Sequence, residues 1–303
     1  MPSITKKPRR SIALAQNFLN NTDIITAILR SVDFSMADLI IEIGPGKGII
    51  TDALIKKHNR VIGVEIDRVL FLNLEKKYKG VENVSIVHSD FLKYHLPNEK
   101  FSIVANIPFN ITAEIIRKIT DRNSLLQAAY IITEERAAYK FVGAPYAESP
   151  LLAHFLHIHY EVKYLMQING KNFTPVPNVA VGLISIIKRK VPIFNNTDEQ
   201  QFNDLLTYIF VRKGATLKEG LKRVFSNLQT KIIIEQLNLS ESILKKKVTF
   251  NDWINIYSSF VKHGSPKSKM IIRGAFEKLG HEKAKLKSQL VHRNNAQNFR
   301  YKK

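Results

Sequence analysis

The sequence predicts an α/β domain built on a mostly parallel sheet, followed by a small all-helical domain. Short apolar runs rich in β-branched residues alternate with amphipathic segments from residue 38 to about residue 189. After residue 190 the apolar residues recur at helical spacing instead. Hydrophobic residues make up 45% of the 303 residues, which is enough to bury a core and excludes a wholly disordered chain.

Seven segments of the first domain have the composition of strands. They are residues 39–43, 61–65, 84–88, 102–105, 128–133, 162–168 and 181–187. Helical patterns such as 48–58, 69–78 and 112–121 separate them, which predicts helices on both faces of a parallel sheet. The last two strands lack a long intervening helix. We therefore expect them to close the sheet as an antiparallel hairpin, interrupted by a loop with Pro175 and Pro177.

We divide the chain into three parts by composition. Residues 1–190 form the α/β domain, with a basic arm at 1–10, and residues 191–261 form the helical domain. Residues 262–303 form a basic C-terminal extension. The stretch 191–198 is typical of a linker, with Thr197 or Asp198 as the cap of the following helix.

The net charge indicates a polyanionic partner. The chain has 46 Lys and Arg against 26 Asp and Glu, a net charge of +20. Residues 1–10 contribute +4, and residues 262–303 contribute +10, since 12 basic residues there face only Glu277 and Glu282. A basic arm and tail favour nucleic acid. The alternatives are a solubility tail and a membrane surface, but the tail lacks a clear apolar face, so we expect no membrane partner.

Several classes of site are excluded by composition. The chain has no cysteine, which rules out disulfides, thiolate metal sites and cysteine nucleophiles. A cysteine-free chain suits the reducing cytosol, and the basic N-terminus leads into no apolar signal segment, so we expect a cytoplasmic protein. His154, His157 and His159 lie on an apolar stretch without a further ligand, so we predict no metal site.

A glycine-rich turn follows the first strand and opens the first helix. Gly44, Gly46 and Gly48 form a G-x-G-x-G pattern, and glycines let a backbone turn tightly and approach a ligand closely. The dinucleotide pattern would need glycine at position 49, which is Ile49, and no P-loop lysine–serine pair follows. The pattern by itself also fits a plain tight turn.

Polar residues end the next three strands. An acid such as Glu65 can accept hydrogen bonds from both hydroxyls of a ribose, and Asp90 is placed to meet an adenine edge. Asn106 follows the fourth strand. Because ligands of open α/β sheets bind at the carboxyl ends of the strands, these residues predict a nucleotide-like pocket. For Asp67 we prefer a helix cap or a surface charge.

The segment Asn106-Ile107-Pro108-Phe109 predicts chemistry on an adenine amino group. The Asn106 oxygen and a carbonyl of Ile107 or Pro108 can accept hydrogen bonds from the two N–H groups, and this draws the conjugated nitrogen toward a tetrahedral geometry. Pro108 stiffens the turn, and Phe109 offers a flat face for an extruded base. Alignment and electrostatics then carry the reaction, without a metal or a strong base.

Together these residues resemble the rRNA adenine N6-methyltransferases, and most closely the erythromycin-resistance (Erm) 23S rRNA methylases. The resemblance covers residues 11–189 and, more loosely, the helical domain. It rests on the glycine motif, Glu65, Asp90 and three segments: 16–19 (QNFL), 106–111 with 114–119 (NIPFNI and EIIRKI), and 173–179 (FTPVPNV).

The resemblance implies a Rossmann-like, S-adenosyl-L-methionine-dependent methyltransferase. The implied cofactor-binding residues are Asn17, Leu19, Gly44, Gly46, Glu65, Ile66, Asp90, Phe91 and Asn106, with Ile66 and Phe91 flanking the cofactor adenine. The implied catalytic residues are Asn106, Ile107, Pro108, Phe109 and Phe173, with Phe109 and Phe173 on the two faces of the target base. The helical domain is then RNA-binding.

The resemblance also implies a substrate. We expect a monomeric enzyme that methylates N6 of an unstacked adenine in a stem-loop of unfolded or partly assembled 23S rRNA, and so confers macrolide-lincosamide-streptogramin B resistance. The alternative is a housekeeping small-subunit (16S-type) dimethyltransferase, which residues 44–46 (GPG) and 212–217 (RKGATL) resemble. The non-enzyme alternative is an RNA-binding factor that retains the fold, which the intact glycine and Asn106–Phe109 motifs disfavour.

Overall fold

The structure, a computed structural model, describes residues 17–58 and 60–281, which group into two units. The first unit comprises residues 17–142 and 159–190, and the second comprises 143–158 and 191–281. The sequence analysis placed residues 143–158 in the α/β domain, whereas the structure groups them with the helices. The reason is that Ile158 and its neighbours on the same helix bury their side chains in the helical core.

The first unit alternates strands and helices, as expected. Its strands are β1 (Phe18–Leu19), β2 (Leu39–Ile43), β3 (Arg60–Glu65), β4 (Val84–His88), β5 (Phe101–Asn106), β6 (Leu126–Glu134), β7 (Tyr160–Ile168), β8 (Phe173–Thr174) and β9 (Val181–Lys188). Its helices are α1 (Thr22–Arg30), α2 (Ile49–Leu54), α3 (Arg68–Lys77), α4 (Thr112–Ile119) and α5 (Glu135–Val142), with 3-10 turns at Phe109–Ile111 and Gly170–Asn172.

Seven strands form one sheet in the order β4-β3-β2-β5-β6-β9-β7. The first five are parallel to one another, while β9 pairs antiparallel with both β6 and β7. Every residue of β2 is buried, as expected for a central parallel strand, and all but Glu42 are apolar. The predicted fold class, including the closing antiparallel pair, is confirmed.

A separate two-stranded sheet joins distant parts of the first unit. Strand β1 pairs antiparallel with β8, so that Leu19 lies opposite Phe173. The side chains of both residues are buried in the core cluster that also contains Ile40. This pairing was not predicted, and it brings residues 17–19 to the carboxyl-end edge of the main sheet, where Asn106 lies.

The second unit is helical. Its helices are α6 (Leu151–His159), whose last residue belongs to the first unit, α7 (Asn196–Val211), α8 (Leu217–Leu221), α9 (Asn227–Gln236), α10 (Phe250–His263), α11 (Pro266–Ile272) and α12 (275–281), with a 3-10 turn at Lys245–Lys247. Trp253 is buried at its centre and contacts His154, so both are core residues, as predicted for Trp253. The N-cap of α7 is Asn195 rather than Thr197 or Asp198, because the Asn195 side chain accepts a hydrogen bond of 2.9 Å from the Asp198 N–H.

The predicted extension at 262–303 is in part folded into this unit. Helix α10 continues to His263, and Ile272 of α11 is buried in the helical core. Residues 282–303, like the predicted basic arm at 1–10, lie outside the described residues. No helix within the described ranges is long and apolar enough to cross a membrane.

Candidate active site

The glycine turn between β2 and α2 needs glycine for two physical reasons. Gly44, Gly46 and Gly48 all have positive φ, at 66°, 60° and 80°. A side chain at Gly46 would also lie 2.8 Å from the Phe18 ring, and one at Gly48 would lie 2.4 Å from the Tyr78 hydroxyl. The turn is thus packed from both sides, and its backbone is held at the edge of the sheet.

Glu65 anchors the turn to the end of β3. Its side chain is 1% exposed, and its Oε2 accepts a hydrogen bond of 3.0 Å from the Gly46 N–H. Its Oε1 accepts one of 2.9 Å from the Asp67 N–H. Each carboxylate oxygen keeps a second lone pair, so the group can accept further hydrogen bonds from a diol. Asp67 caps α3 by accepting from the Val69 and Leu70 N–H groups, as predicted.

Asp90 and Phe91 begin the loop that follows β4. Asp90 Oδ1 accepts a hydrogen bond of 2.9 Å from the Leu92 N–H, which fixes the carboxylate. Lys118 of α4 holds the same loop, because its Nζ donates to the carbonyls of Leu92, at 3.0 Å, and Tyr94. The ammonium also lies 5.3 Å from the centre of the Phe91 ring, within cation–π range. Burial lowers the pKa of Lys118.

Asn106 ends β5 and is oriented by the chain's N-terminal segment. Its Nδ2 donates a hydrogen bond of 2.8 Å to the Asn17 carbonyl. This bond uses one of the two amide N–H groups and fixes the orientation of the side chain, so that Oδ1 remains available to accept a hydrogen bond from a ligand. The Ile107 N–H donates to the Ile132 carbonyl, so the backbone beyond Asn106 is also fixed, and Pro108 precedes the 3-10 turn.

The predicted residues line one cavity at the carboxyl ends of the strands. The described wall contains eleven of them: Asn17, Gly44, Gly46, Glu65, Ile66, Asp90, Phe91, Asn106, Ile107, Pro108 and Phe173. It also contains residues that we did not predict, among them Phe18, Ser89, Leu92, Asn110, Ile111 and Val181. Phe18, Asn110 and Ile111 belong to the segments 16–19 and 106–111 that carry the resemblance, and Ser89 and Leu92 lie next to the predicted Asp90 and Phe91. Val181 had no such signal.

Two predicted residues, Leu19 and Phe109, are not among those that line the described wall. The side chain of Leu19 is buried in the core cluster with Phe173, whereas the neighbouring Phe18 lines the wall. For Phe109 the structure describes the backbone, which begins the 3-10 turn, and its side chain lies outside the described part. Phe173 is 1% exposed, yet it contributes to the wall.

A further carboxyl group that we did not predict lies under the glycine turn. Glu42 of β2 is buried, and its Oε2 accepts a hydrogen bond of 2.6 Å from the Thr51 hydroxyl. Burial raises the pKa of Glu42 to about 8, with a smaller contribution from the nearby Glu65 charge. The Glu42 carboxyl therefore binds a proton more tightly than an exposed glutamate does.

The wall fits an adenosine-containing ligand with a positively charged centre. The Glu65 carboxylate suits a ribose diol, the Ile66 and Phe91 side chains suit the faces of a purine, and Asp90 suits its polar edge. The carboxylates of Glu65 and Asp90 also give the cavity a negative charge, which favours a cation. No group of three or more potential metal ligands occurs within residues 17–58 and 60–281.

Comparisons with known proteins agree with this geometry. The family model for ribosomal RNA adenine dimethylase matches residues 8–262. A relative from Fusobacterium nucleatum named ribosomal RNA small subunit methyltransferase A is 31% identical over 251 residues, which cover 81% of this chain and 95% of that one. A Bacillus licheniformis protein named rRNA adenine N-6-methyltransferase is 27% identical over 249 residues, covering 82% and 86%.

The solved structures agree on the fold. The crystal structure of the 23S rRNA methyltransferase ErmE superimposes with a TM-score of 0.74, at 22% identity, over 80% of this chain and 99% of that one. The matched family model spans most of this chain: it includes the whole described first unit and the second unit as far as residue 262. The predicted resemblance is confirmed: the chain belongs to the ribosomal RNA adenine dimethylase family.

Proposed function

We propose that this protein transfers a methyl group from S-adenosyl-L-methionine to N6 of an adenine in ribosomal RNA. Family membership supports the reaction class and the cofactor. The observation that carries the choice of atom is the anchoring of the Asn106 amide on the Asn17 carbonyl, which leaves an acceptor at the cavity wall for an amino group. The proposed enzyme acts as a monomer.

The proposed mechanism depends on alignment. When bound, S-adenosyl-L-methionine supplies an electrophilic methyl group on a sulfonium. Asn106 Oδ1 and a carbonyl of the Ile107–Pro108 segment accept hydrogen bonds from the two N–H groups of the adenine amino group. These bonds direct the lone pair of the nitrogen away from the ring. The amino group loses its proton after transfer, so none of these residues has to act as a strong base.

The substrate base must leave its stack to reach this wall. The amino group of a paired adenine is engaged in the duplex, so a loop or bulge is the natural target. We propose that Phe109 and Phe173 contact the two faces of the flipped base, as aromatic residues commonly do. The burial of Phe173 against Leu19 would hold its ring in one orientation.

The small-subunit rRNA is the substrate that the comparisons favour. The Fusobacterium nucleatum relative, named for the small subunit, is 31% identical, against 27% for the Bacillus licheniformis relative. A Ligilactobacillus salivarius relative at 29% carries the small-subunit name as well. We therefore propose the 16S-type rRNA as the first target to test, which was our alternative from the sequence.

The second candidate is an adenine of 23S rRNA, with macrolide-lincosamide-streptogramin B resistance as its consequence. The segment NIPFNI at 106–111 supports this candidate, since it resembles the erythromycin-resistance methylases most closely. The likeness to ErmE is at 22% identity and concerns the fold alone.

Methyl transfer to separated rRNAs distinguishes these candidates. Tritiated S-adenosyl-L-methionine is incubated with the protein and with unmodified 16S or 23S rRNA, and mass spectrometry of the labelled fragment gives the site, the atom and the methyl count. Label on 16S rRNA alone supports the first target, and label on 23S rRNA alone replaces it with the second. Tight RNA binding without any transfer would leave the RNA-binding factor as the function.

A further inference from the structure

A second cavity lies entirely within the helical unit, and we call it the basic cavity. One wall is the C-terminal half of α7, with Thr207, Tyr208 and Arg212. The other wall is the end of α11 and the segment after it, with Arg273 and Lys278. The family match ends at residue 262, so Arg273 and Lys278 belong to the part of this chain that the family model does not cover.

The charge of the basic cavity is entirely positive. Arg212, Arg273 and Lys278 line it, and no acidic residue does. All three are exposed, and none of them forms an ion pair within the described part of the chain. Three unpaired cations around one cavity repel one another, and an anion placed among them removes that repulsion.

A buried hydroxyl independently indicates a missing ligand. Thr207 is 2% exposed, and its Oγ1 has no hydrogen-bond partner in the described ranges. A threonine in a helix usually bonds to a carbonyl of the preceding turn, and a buried polar atom without a partner costs about 1–3 kcal/mol. Because Thr207 lines the basic cavity, an oxygen of a ligand there could accept this hydrogen bond.

The basic cavity is also held rigidly. The buried Asp204 carboxylate of α7 accepts hydrogen bonds from the N–H groups of Gly274, at 2.9 Å, and Phe276, at 3.0 Å. These bonds fix the turn that carries Arg273, and they occupy the Asp204 carboxylate. The Arg212 guanidinium lies 4.7 Å from the centre of the Tyr208 ring, which restrains it. A ligand would therefore lose little free energy to ordering these groups.

We propose that the basic cavity binds a backbone phosphate of the RNA substrate, with Arg212, Arg273 and Lys278 as its cations and Thr207 as a hydrogen-bond donor. This inference rests on the proposed function for its choice of RNA. Exposed cations at an open rim suit a chain that passes across the surface, whereas a free nucleotide is usually enclosed. Residues 262–303, which include Arg273 and Lys278, have a net charge of +10.

A charge-matched pair of double variants tests the site in the full chain. Arg273→Ala with Lys278→Ala removes two cations of the basic cavity. Lys262→Ala with Lys267→Ala removes the same charge from exposed positions of α10 and α11, and neither residue lines the cavity. The affinity for 16S and 23S rRNA transcripts is measured over a range of salt concentrations.

The cavity variant should bind RNA at least about tenfold more weakly than the control, and its salt slope should fall by about 0.7–0.9 for each phosphate that it no longer neutralises. Equal losses of affinity in the two double variants would overturn the site. Thr207→Val supplies a second measurement, because it removes the hydroxyl without changing charge. It should weaken RNA binding severalfold at an unchanged salt slope and without lowering the melting temperature, since the hydroxyl that it removes has no partner in the described part of the free protein. Wild-type affinity in this variant would remove Thr207 from the site.

The same preparations separate this inference from the proposed function. If the wild-type protein methylates rRNA and both double variants bind RNA equally, the basic cavity is not a phosphate site, and the enzyme assignment stands. If the wild-type protein methylates nothing and the cavity variant still loses more affinity than the control, the site stands without the enzyme. Adenosine 5′-monophosphate serves as a small probe, and binding as tight as that of the transcripts would replace RNA with a free nucleotide.

Discussion

The side-chain amide of Asn106 donates a hydrogen bond of 2.8 Å to the main-chain carbonyl of Asn17, 89 residues away in the sequence. This bond connects the end of β5 to the segment before β1. It fixes which end of the amide is available at the cavity wall, because the nitrogen is used by the backbone. The proposed chemistry depends on that orientation.

Asn106→Ala should reduce methyl transfer by about 10²- to 10³-fold, since it removes a preorganised acceptor for the amino group. Affinity for rRNA should stay near the wild-type value, because most of that affinity comes from phosphate contacts elsewhere. Single-turnover transfer and filter binding on the same RNA measure the two quantities. Full activity in this variant would remove Asn106 from the catalytic residues.

Glu65→Gln should weaken S-adenosyl-L-methionine binding by roughly 10- to 100-fold, as expected for a hydrogen-bonding carboxylate. The carboxylate accepts from both the Gly46 and the Asp67 N–H groups, and an amide would place its own donor against one of them. Asp67→Asn is the matched control, because asparagine caps a helix as well as aspartate does. Isothermal calorimetry compares the two, and an unchanged affinity in Glu65→Gln would contradict the assignment.

Lys118→Met should raise the KM for S-adenosyl-L-methionine severalfold while changing kcat little. The ammonium holds the carbonyls of Leu92 and Tyr94, so its loss frees the loop that carries Asp90 and Phe91. We regard Lys118 as a positioning residue. Lys93→Met changes an exposed lysine of the same loop and is the control. A fall in kcat at constant KM would mean that Lys118 acts in another way.

Glu42 should make the protein less stable as the pH rises from about 4.5 to about 8. Its pKa is raised from an ordinary value of 4.5 to about 8, so the folded state holds a proton that the unfolded state releases in this window. Each unit of difference corresponds to about 1.4 kcal/mol. Glu42→Gln should therefore flatten the dependence of the free energy of unfolding on pH, measured by urea denaturation at several pH values. A variant with the wild-type slope would show that other groups cause it.

Lys245→Met should lower the free energy of unfolding of the helical unit by about 1–3 kcal/mol. The buried ammonium donates to the last carbonyls of α7, at 3.0 Å from Ile209, 3.3 Å from Phe210 and 2.9 Å from Arg212. Methionine fills a similar volume but leaves these carbonyls without a donor. Lys246→Met, at an exposed neighbour, should unfold at the wild-type denaturant concentration, and equal stability in the two variants would contradict this role.

The sequence alone identified most of the cavity wall. In a parallel sheet every strand presents its carboxyl end at one edge, so the order of strands in the sequence was enough to place Glu65, Asp90 and Asn106 near one another. The glycine turn was also visible, because its positive φ angles require residues without a Cβ. These are local or topological properties, and short-range patterns encode them.

Three features depend on contacts between distant parts of the chain, and only the tertiary structure showed them. The pairing of β1 with β8 put Asn17 in reach of Asn106 and moved Leu19 from the predicted wall into the core. No sequence pattern indicated that Lys118 holds the loop that contains Asp90. Residues 143–158 belong to the helical unit, because apolar side chains of α6 pack in the core of that unit. The free energy of burial depends on which distant surfaces meet, and no local pattern contains that information.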